Sequence, residues 1–575
     1  MSSKFEKYHK GVMPASEHNQ LWPLYGEGLD NFGLNEKPIE VPMPVMGPDE
    51  LLVRHDACGL CFSDIKVIRL GEKHPRIYRN MKEDPVVLGH EVSMTVVGVG
   101  EQLKDQYKPG DRFILQADIF VNGVGYAYGY EIQGGLSQYN IIDQRVLNGD
   151  HGNYLIPIRT NTGYAESALV EPWACVIAAY YLQYRTALKD RGTAWFIGPD
   201  DNATFSLSKG LDQDSHPSKI ILTRMNGAFG NWIRAQAQKL GIPIIERNKI
   251  TIVENEADRT EQADDIILLS PTVKLIEQVS PYLSYHGILA FYTEKPFERK
   301  ADLDAGRIHY NRWLFLGGKD KDIAKLYSRV PARAELKKGG RAFFVGAGGP
   351  MGRMHVQHAI EEANPPAMIV CSDASNDRLQ DLEDSFADEA REKGIEWISV
   401  NPLEKVQYQE TMRQFEGTGF DDIIMLVPIP PVISDAAQWL SEQGVMNIFA
   451  GVARGTTAQL DLNTLAFKDA RVIGHSASAI EDMNMMLQKV EDGQLSTNRS
   501  VAAVGSLSAA KDGMQALIDA TYPGKVVIFP NIHELPLTSL TDLKDILPSV
   551  AAKLKDGRIW TKEAEQEFLE QMSKE

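Results

Sequence analysis

The sequence predicts an α/β protein carrying two tandem doubly wound parallel sheets. Three observations predict it: apolar runs of strand length alternate with helical stretches, the alternation occurs twice, and the second occurrence places a glycine-rich turn between a strand and a helix.

The duplication is read from fixed spacing. Asp264-Asp265-Ile266-Ile267-Leu268-Leu269 resembles Asp421-Asp422-Ile423-Ile424-Met425-Leu426, and Gly287 before Ile288-Leu289-Ala290-Phe291 corresponds to Gly444 before Val445-Met446-Asn447-Ile448. Further on, Arg312-Trp313-Leu314-Phe315-Leu316-Gly317 falls opposite Asp469-Ala470-Arg471-Val472-Ile473-Gly474. Upstream, Thr193–Gly198 matches Arg341–Gly346 at a shorter offset, which a loop-length difference explains. Residues 190–335 and 336–478 are therefore read as two related sheets covered on both faces. Convergence of two unrelated doubly wound sheets is the plainer alternative.

Only the second copy has the chemistry to hold a dinucleotide. After the strand Ala342–Val345 comes Gly346-Ala347-Gly348-Gly349-Pro350-Met351-Gly352, then a helical pattern from Arg353 to Ala363. Gly346 permits the tight turn, Gly348 or Gly349 admits a pyrophosphate to the backbone, and Gly352 permits close helix packing. Pro350 and Met351 complete this turn. The next strand, Ala367–Cys371, leads to Asp373, placed to accept both ribose hydroxyls. That carboxylate favours NAD over NADP, while Arg378 leaves a cation near a 2'-phosphate. In the first copy Gly198-Pro199-Asp200-Asp201-Asn202-Ala203 replaces the glycine turn and Met225 takes the place of Asp373. Two acids there oppose a pyrophosphate, so this copy is expected to be structural, interfacial or regulatory.

Size and charge bound the rest. A chain of 575 residues exceeds one hydrophobic core, and 43% hydrophobic with 24% charged residues is an ordinary globular balance. A formal charge of -18 argues against nucleic acid and anionic membranes as partners. No apolar run reaches membrane-spanning length and the first ten residues are polar and charged, so a cytoplasmic location is expected. The four cysteines, Cys58, Cys61, Cys175 and Cys371, are too few and scattered for a disulfide framework. A special cysteine should bind metal or react.

Three fragments carry that chemistry: Cys58-Gly59-Leu60-Cys61-Phe62-Ser63-Asp64, then Gly89-His90-Glu91, then Leu169-Val170-Glu171-Pro172-Trp173. A thiolate, an imidazole and a carboxylate suit a four-coordinate zinc with an exchangeable position. In this order the fragments resemble the zinc-dependent medium-chain dehydrogenases. The resemblance implies Cys61 and His90 as zinc ligands with Glu91 as the third. Glu171 would either ligate directly or hold the exchangeable metal-bound water. It implies that Ser63 takes the alcohol proton, that Lys66 stands near a relay position, and that Asp64 orients His90. Ser63 as a turn residue and Lys66 as a surface cation are the bland readings. Cys58 fits neither role, and His475, after the last strand of the second sheet, reads equally as an ordinary loop histidine. Relatives commonly carry a second, structural zinc on a four-cysteine loop; 117–138 has no cysteine, so one zinc per chain is expected, with this segment held by packing.

Within the superfamily, Arg112–Gln116, the stretch through Gly134-Gly135, Glu171-Pro172, Gly346–Gly352, Gly419-Phe420-Asp421-Asp422 and Gly557-Arg558-Ile559-Trp560 are similar to bacterial L-sorbose-1-phosphate reductases. Residues 190–335 stand out as an extra copy. The resemblance implies a GroES-like β-barrel catalytic domain at 1–189, completed by 479–575. A degenerate Rossmann-like domain would follow at 190–335 and an NAD-binding Rossmann domain at 336–478. The expected activity is hydride transfer between NAD and a secondary alcohol of a polyol or sugar phosphate, with one catalytic zinc, in a homo-oligomer. Lys66, Arg69 and Lys73 are the candidate phosphate cations. The alternatives are a non-catalytic metabolite or redox sensor on the same fold, and a zinc dehydrogenase for a hydroxy or amino acid.

Overall fold

The computed structural model describes residues 3–13, 17–199, 204–247, 262–328 and 334–574. The chain divides into two compact units, Met1–Ile177 with Ala477–Glu575, and Ala178–Ser476. Among the described residues, no helix is long and apolar enough to cross a membrane.

The first unit is organised around the strand Leu51–Gly59, which is buried along its whole length. It pairs antiparallel with Glu91–Val99 on one edge; Tyr139–Ile142 runs along Leu51–Arg54, and Lys525–Phe529 pairs with Cys58 and Gly59. Burial on both faces means that its central polar run, Arg54-His55-Asp56, must be satisfied internally. Arg54 Nε donates to Asp56 Oδ1 at 2.7 Å, and Thr95 Oγ1 donates to Asp56 Oδ2 at 2.5 Å. The eight-stranded sheet runs from Leu155–Pro157 through Arg112–Leu115 and Glu91–Val99 to the C-terminal strands Lys525–Phe529, Val501–Ser506 and Thr538–Ser539. The cysteine-free segment 117–138 buries Ile119, Tyr128, Ile132 and Leu136, and Asn140 Nδ2 donates to the Tyr128 hydroxyl at 3.0 Å.

The second unit holds two six-stranded, all-parallel sheets of identical topology. In space the first runs Ile244–Arg247, Lys219–Thr223, Thr193–Ile197, Ala263–Leu269, Leu283–Tyr292, Leu314–Gly318. The second runs Glu396–Val400, Met368–Ser372, Arg341–Val345, Phe420–Met425, Leu440–Ile448, Arg471–Gly474. Both follow the 3-2-1-4-5-6 order of a doubly wound dinucleotide fold.

Likeness extends to individual bonds. Lys189 N donates to Asp265 Oδ2 and Lys337 N to Asp422 Oδ2; Lys189 Nζ pairs with Asp264 and Lys337 Nζ with Asp421. Thr193 N and Arg341 N donate to the same two acids, Asp264 and Asp421. The register shifts at Ala263/Asp265 and again at Phe420/Asp422, and His286 and Gln443 share a left-handed backbone. Convergent sheets have no reason to repeat such details.

The copies differ at the first turn. In the second, the helix begins at Pro350, three residues before its apolar periodicity, because Gly349 forms the N-cap and proline suits the first helical position. In the first, no helix lies between 204 and 218, and Asp200 and Asp201 fall outside the described residues. Met225 is buried, and a Cβ at Gly198 would lie 2.7 Å from its sulfur.

Gly474 ends an edge strand where a Cβ would lie 2.4 Å from the Ile308 carbonyl oxygen. Gly474→Ala is therefore expected to destabilise the protein by about 1–3 kcal/mol, measured as a lower denaturant midpoint; an unchanged midpoint would contradict this packing.

Candidate functional site

Cys61, the N-cap of the helix Phe62–Leu70, follows directly on the central strand. Glu91 begins the neighbouring strand with His90 just before it, so the pairing of Gly59 with Glu91 brings the fragments together. Gly89 has φ +98°, and a Cβ there would lie 2.6 Å from Cys58 Sγ, so the turn presenting His90 requires glycine. The ligand atoms of Cys61, His90 and Glu91 lie within 4.8 Å of one another. Among the described residues this is the one group of at least three His, Cys, Asp or Glu side chains with such spacing.

Asp64 ties two of these residues in place. Its Oδ2 accepts from Cys61 N at 3.0 Å and its Oδ1 accepts from His90 Nδ1 at 3.2 Å, so that in the neutral ring the lone pair falls on Nε2. Burial alone would push His90 down, but Asp64 and Cys61 hold it well above its ordinary value. The pocket thus favours positive charge.

Lys525, in the C-terminal return, was not singled out from sequence. It opens an apolar strand and no local motif marks it. Its Nζ donates to Glu91 Oε1 at 2.5 Å and to the Leu60 carbonyl at 2.7 Å, with both side chains buried. The other oxygen, Glu91 Oε2, is buried with no hydrogen-bond partner, and a Cβ at Gly59 would stand 2.2 Å from it. An orphaned carboxylate oxygen beside a thiol and an imidazole Nε2 matches the donor set of a zinc ion.

Glu171 lies on the helix Val170–Ala178 and is not one of the three converging groups. Burial raises its carboxyl to about 7, with His90 opposing and Glu91 adding to the rise. Ser63 and Lys66 are half-buried, one turn apart on the same face of the helix that begins after Cys61. Buried Cys58 is held well above its ordinary pKa by burial, in keeping with a packing role.

Of the other candidate cations, Lys73 is exposed and paired with Glu27 at 2.8 Å, and Arg69 lies over the Phe62 ring. Two groups that the sequence did not mark lie around Tyr130 beside His90. His74 packs edge-on against Tyr130, with centroids 5.1 Å apart, and His90 also meets the Tyr130 ring, at 6.1 Å. Arg76 N donates to His74 Nδ1 at 3.3 Å, and the Arg76 guanidinium pairs with Asp118. Their residue spacing carries no motif, because a loop rather than a repeat brings them together.

At the glycine-rich turn, Gly346 has φ +88°, Gly352 packs where a Cβ would lie 2.5 Å from Ala347 O, and a Cβ on Gly349 would meet nothing within 4 Å. The last leaves open backbone for a ligand, at the N-terminus of the helix Pro350–Glu361, whose first turn includes Met351. Gly348 N donates to Asp373 Oδ2 at 3.0 Å, and a Cβ on Gly348 would lie 2.6 Å from the Arg378 Cβ. Asp373 and Arg378 thus both border the turn. His475 is buried and takes a contact from Arg312 Nη2 at 2.9 Å.

Comparison with known proteins agrees with this architecture. Residues 47–149 match the alcohol dehydrogenase GroES-like domain. The chain is similar to a mannitol-1-phosphate 5-dehydrogenase of Aliivibrio fischeri, 23% identical over 93% of this chain and 96% of the relative. It is also similar to an L-sorbose 1-phosphate reductase of Klebsiella pneumoniae, 24% identical over 48% of this chain and 70% of the relative. The 2R,3R-butanediol dehydrogenase of Bacillus subtilis shares the fold, with a TM-score of 0.51 at 16% identity, covering 89% of this chain and all of that one. The chain thus carries a match to the GroES-like domain over 47–149 and shares the fold of the butanediol dehydrogenase.

Lys525→Met leaves the Glu91 carboxylate buried beside no cation. A loss of about 3–5 kcal/mol in metal-free protein is expected, read by chemical denaturation, with Lys525→Arg retaining most of the stability. Equal stability of Lys525→Met and the parent would show that the pair is not holding the site.

Proposed function

We propose that the protein is a zinc-dependent, nicotinamide-linked dehydrogenase that interconverts a secondary alcohol and a ketone on a polyol phosphate. The observation carrying this reading is the convergence of Cys61, His90 and Glu91 around an unpartnered carboxylate oxygen. Zinc held by these residues supplies Lewis acidity to the substrate oxygen, and a dinucleotide at Gly346, Gly348, Gly349, Pro350, Met351 and Gly352 supplies the hydride acceptor. Asp373 favours NAD by accepting from ribose hydroxyls, and Arg378 is its competitor for a 2'-phosphate.

The protein's own groups then have separate tasks. Asp64 fixes the His90 ring so that Nε2 faces inward. Lys525 holds one oxygen of Glu91 and so sets the direction of the other. Ser63 takes the proton of the bound alcohol as it gives its own to the cofactor ribose, while Lys66, one turn along the same helix, stands near this relay as a cation. Glu171, raised toward neutrality by burial, is suited to hold or exchange a water-borne proton beside the ligand set. Tyr130 walls the imidazole from bulk solvent.

A phosphorylated substrate is supported by two relatives named for mannitol 1-phosphate and L-sorbose 1-phosphate. It is also supported by the cations Arg76 and Lys66, on either side of His74 in the chain, whose ring burial first and these two charges next keep neutral. With Nδ1 accepting from the Arg76 amide, His74 presents its Nε2 as donor.

Elemental analysis of purified protein should give one zinc per chain, and Cys61→Ser should lose the metal together with NAD reduction by polyol phosphates. Metal-free protein with full turnover would overturn the reading. Asp64→Asn is expected to weaken zinc binding about 10–100-fold, measured by competition with a chelator.

Arg76→Ala should lower kcat/KM for a polyol phosphate about tenfold to a hundredfold, the loss of one charge-assisted contact, while leaving the unphosphorylated polyol nearly unchanged. Equal losses on both substrates would remove Arg76 from phosphate recognition.

A further inference from the structure

The two sheets of the second unit meet through contacts that map onto themselves when the copies are exchanged. Strand Ala301–Asp304 of the first pairs antiparallel with Thr457–Leu460 of the second. Applying the downstream repeat spacing, which matches Arg312 with Asp469, Ala301 corresponds to Ala458 and Leu303 to Leu460. The register pairs Ala301 with Leu460 and Leu303 with Ala458, so each pair is the image of the other. Asp302 and Gln459 are equivalent positions and face each other, as residues on a two-fold axis must.

The rest of the contact has the same symmetry. Equivalent helices Ala305–Asn311 and Leu462–Phe467 are N-capped by equivalent aspartates, Asp304 and Asp461. Each packs on the edge strand of the other copy. A Cβ on Gly474 would lie 2.8 Å from the His309 Cα, and a Cβ on its equivalent Gly317 would lie 3.0 Å from the Cα of Ala466, the equivalent of His309. The two edge strands, Leu314–Gly318 and Arg471–Gly474, lie against one another. One apolar core includes Leu303, Ile308 and Phe315 from the first copy together with Leu460, Leu465 and Val472 from the second.

Reciprocity of this kind is the mark of an isologous interface, in which one patch meets its own image across a two-fold axis. Two segments placed side by side for any other reason need not obey it. An edge strand with a buried apolar flank also demands a cover, or it pairs with another chain.

We propose that the first copy is a built-in partner: within one chain it occupies the self-complementary edge through which the glycine-turn copy would otherwise join a second molecule. This assigns a task to a sheet that has no glycine turn and carries Met225 where Asp373 stands. It also explains the uneven loss, since every anchor of the shared interface remains while the ligand turn is gone. The partner fitted to this surface is the chain's own 301–318 region, and no second copy docks there.

The test is the full-length double variant Asp302→Cys, Gln459→Cys, whose cysteines replace exposed, directly opposed residues. Mild oxidation and peptide mapping should yield a 302–459 disulfide within single chains, at a yield that is independent of protein concentration. A cross-linked dimer of chains, or no disulfide in the folded variant, would overturn the proposal. The unmodified protein gives a second reading by hydrogen exchange. Amides of 301–304 and 457–460 should be equally protected over a hundredfold dilution, and protection that falls with dilution would overturn it too.

Discussion

The buried pairing of Lys525 with Glu91 is the constraint on which the rest of the first unit depends. Neither charge has access to bulk water, and each would be costly alone. Satisfying them requires the strand Lys525–Phe529 to lie against Leu51–Gly59, which in turn fixes Cys58, Gly59 and the helix beginning at Phe62. One oxygen of Glu91 is consumed by the lysine and the other is left without a partner. The candidate metal site is therefore shaped from behind by an ammonium group as much as from in front by its donors.

Much of this was legible from residues alone where the chemistry is local. The glycine turn, the strand before it and Asp373 after it are contiguous, so the pattern and its physical use coincide. The cysteine and Gly-His-Glu fragments were legible because their order resembles that of the zinc-dependent medium-chain dehydrogenases; the strand pairing that joins them was not read from the sequence. Lys525, His74, Arg76, Asp118 and Tyr130 were not. They reach the neighbourhood of His90 through long-range pairing or loop geometry, and a lone lysine or arginine on the chain looks like any exposed cation. Conversely, Lys73 and Arg69 attracted notice by position and turn out to serve Glu27 and Phe62.

The duplication was visible as spacing, but its depth was not. That Asp264 and Asp421 bind equivalent amide, ammonium and hydroxyl groups could not be read from an aspartate pair in each copy. These acids anchor a strand start to the segment preceding the neighbouring strand, a task independent of any ligand, which is why they persist in both copies. The segment 190–335 stood out against shorter relatives, yet the similarity to the Aliivibrio fischeri mannitol-1-phosphate 5-dehydrogenase extends over 553 residues, so the long form is not peculiar to this chain.

The first unit is made from both ends of the chain, with the second unit entirely between them. During synthesis the parallel sheets have all their strands in hand long before the strand that carries Lys525 leaves the ribosome. Until then the edge of Leu51–Gly59 at Cys58 waits unpaired and Glu91 has no counter-ion. The order of translation thus places the assembly of the thiol, imidazole and carboxylate among the last events of folding, after the dinucleotide fold can already have formed.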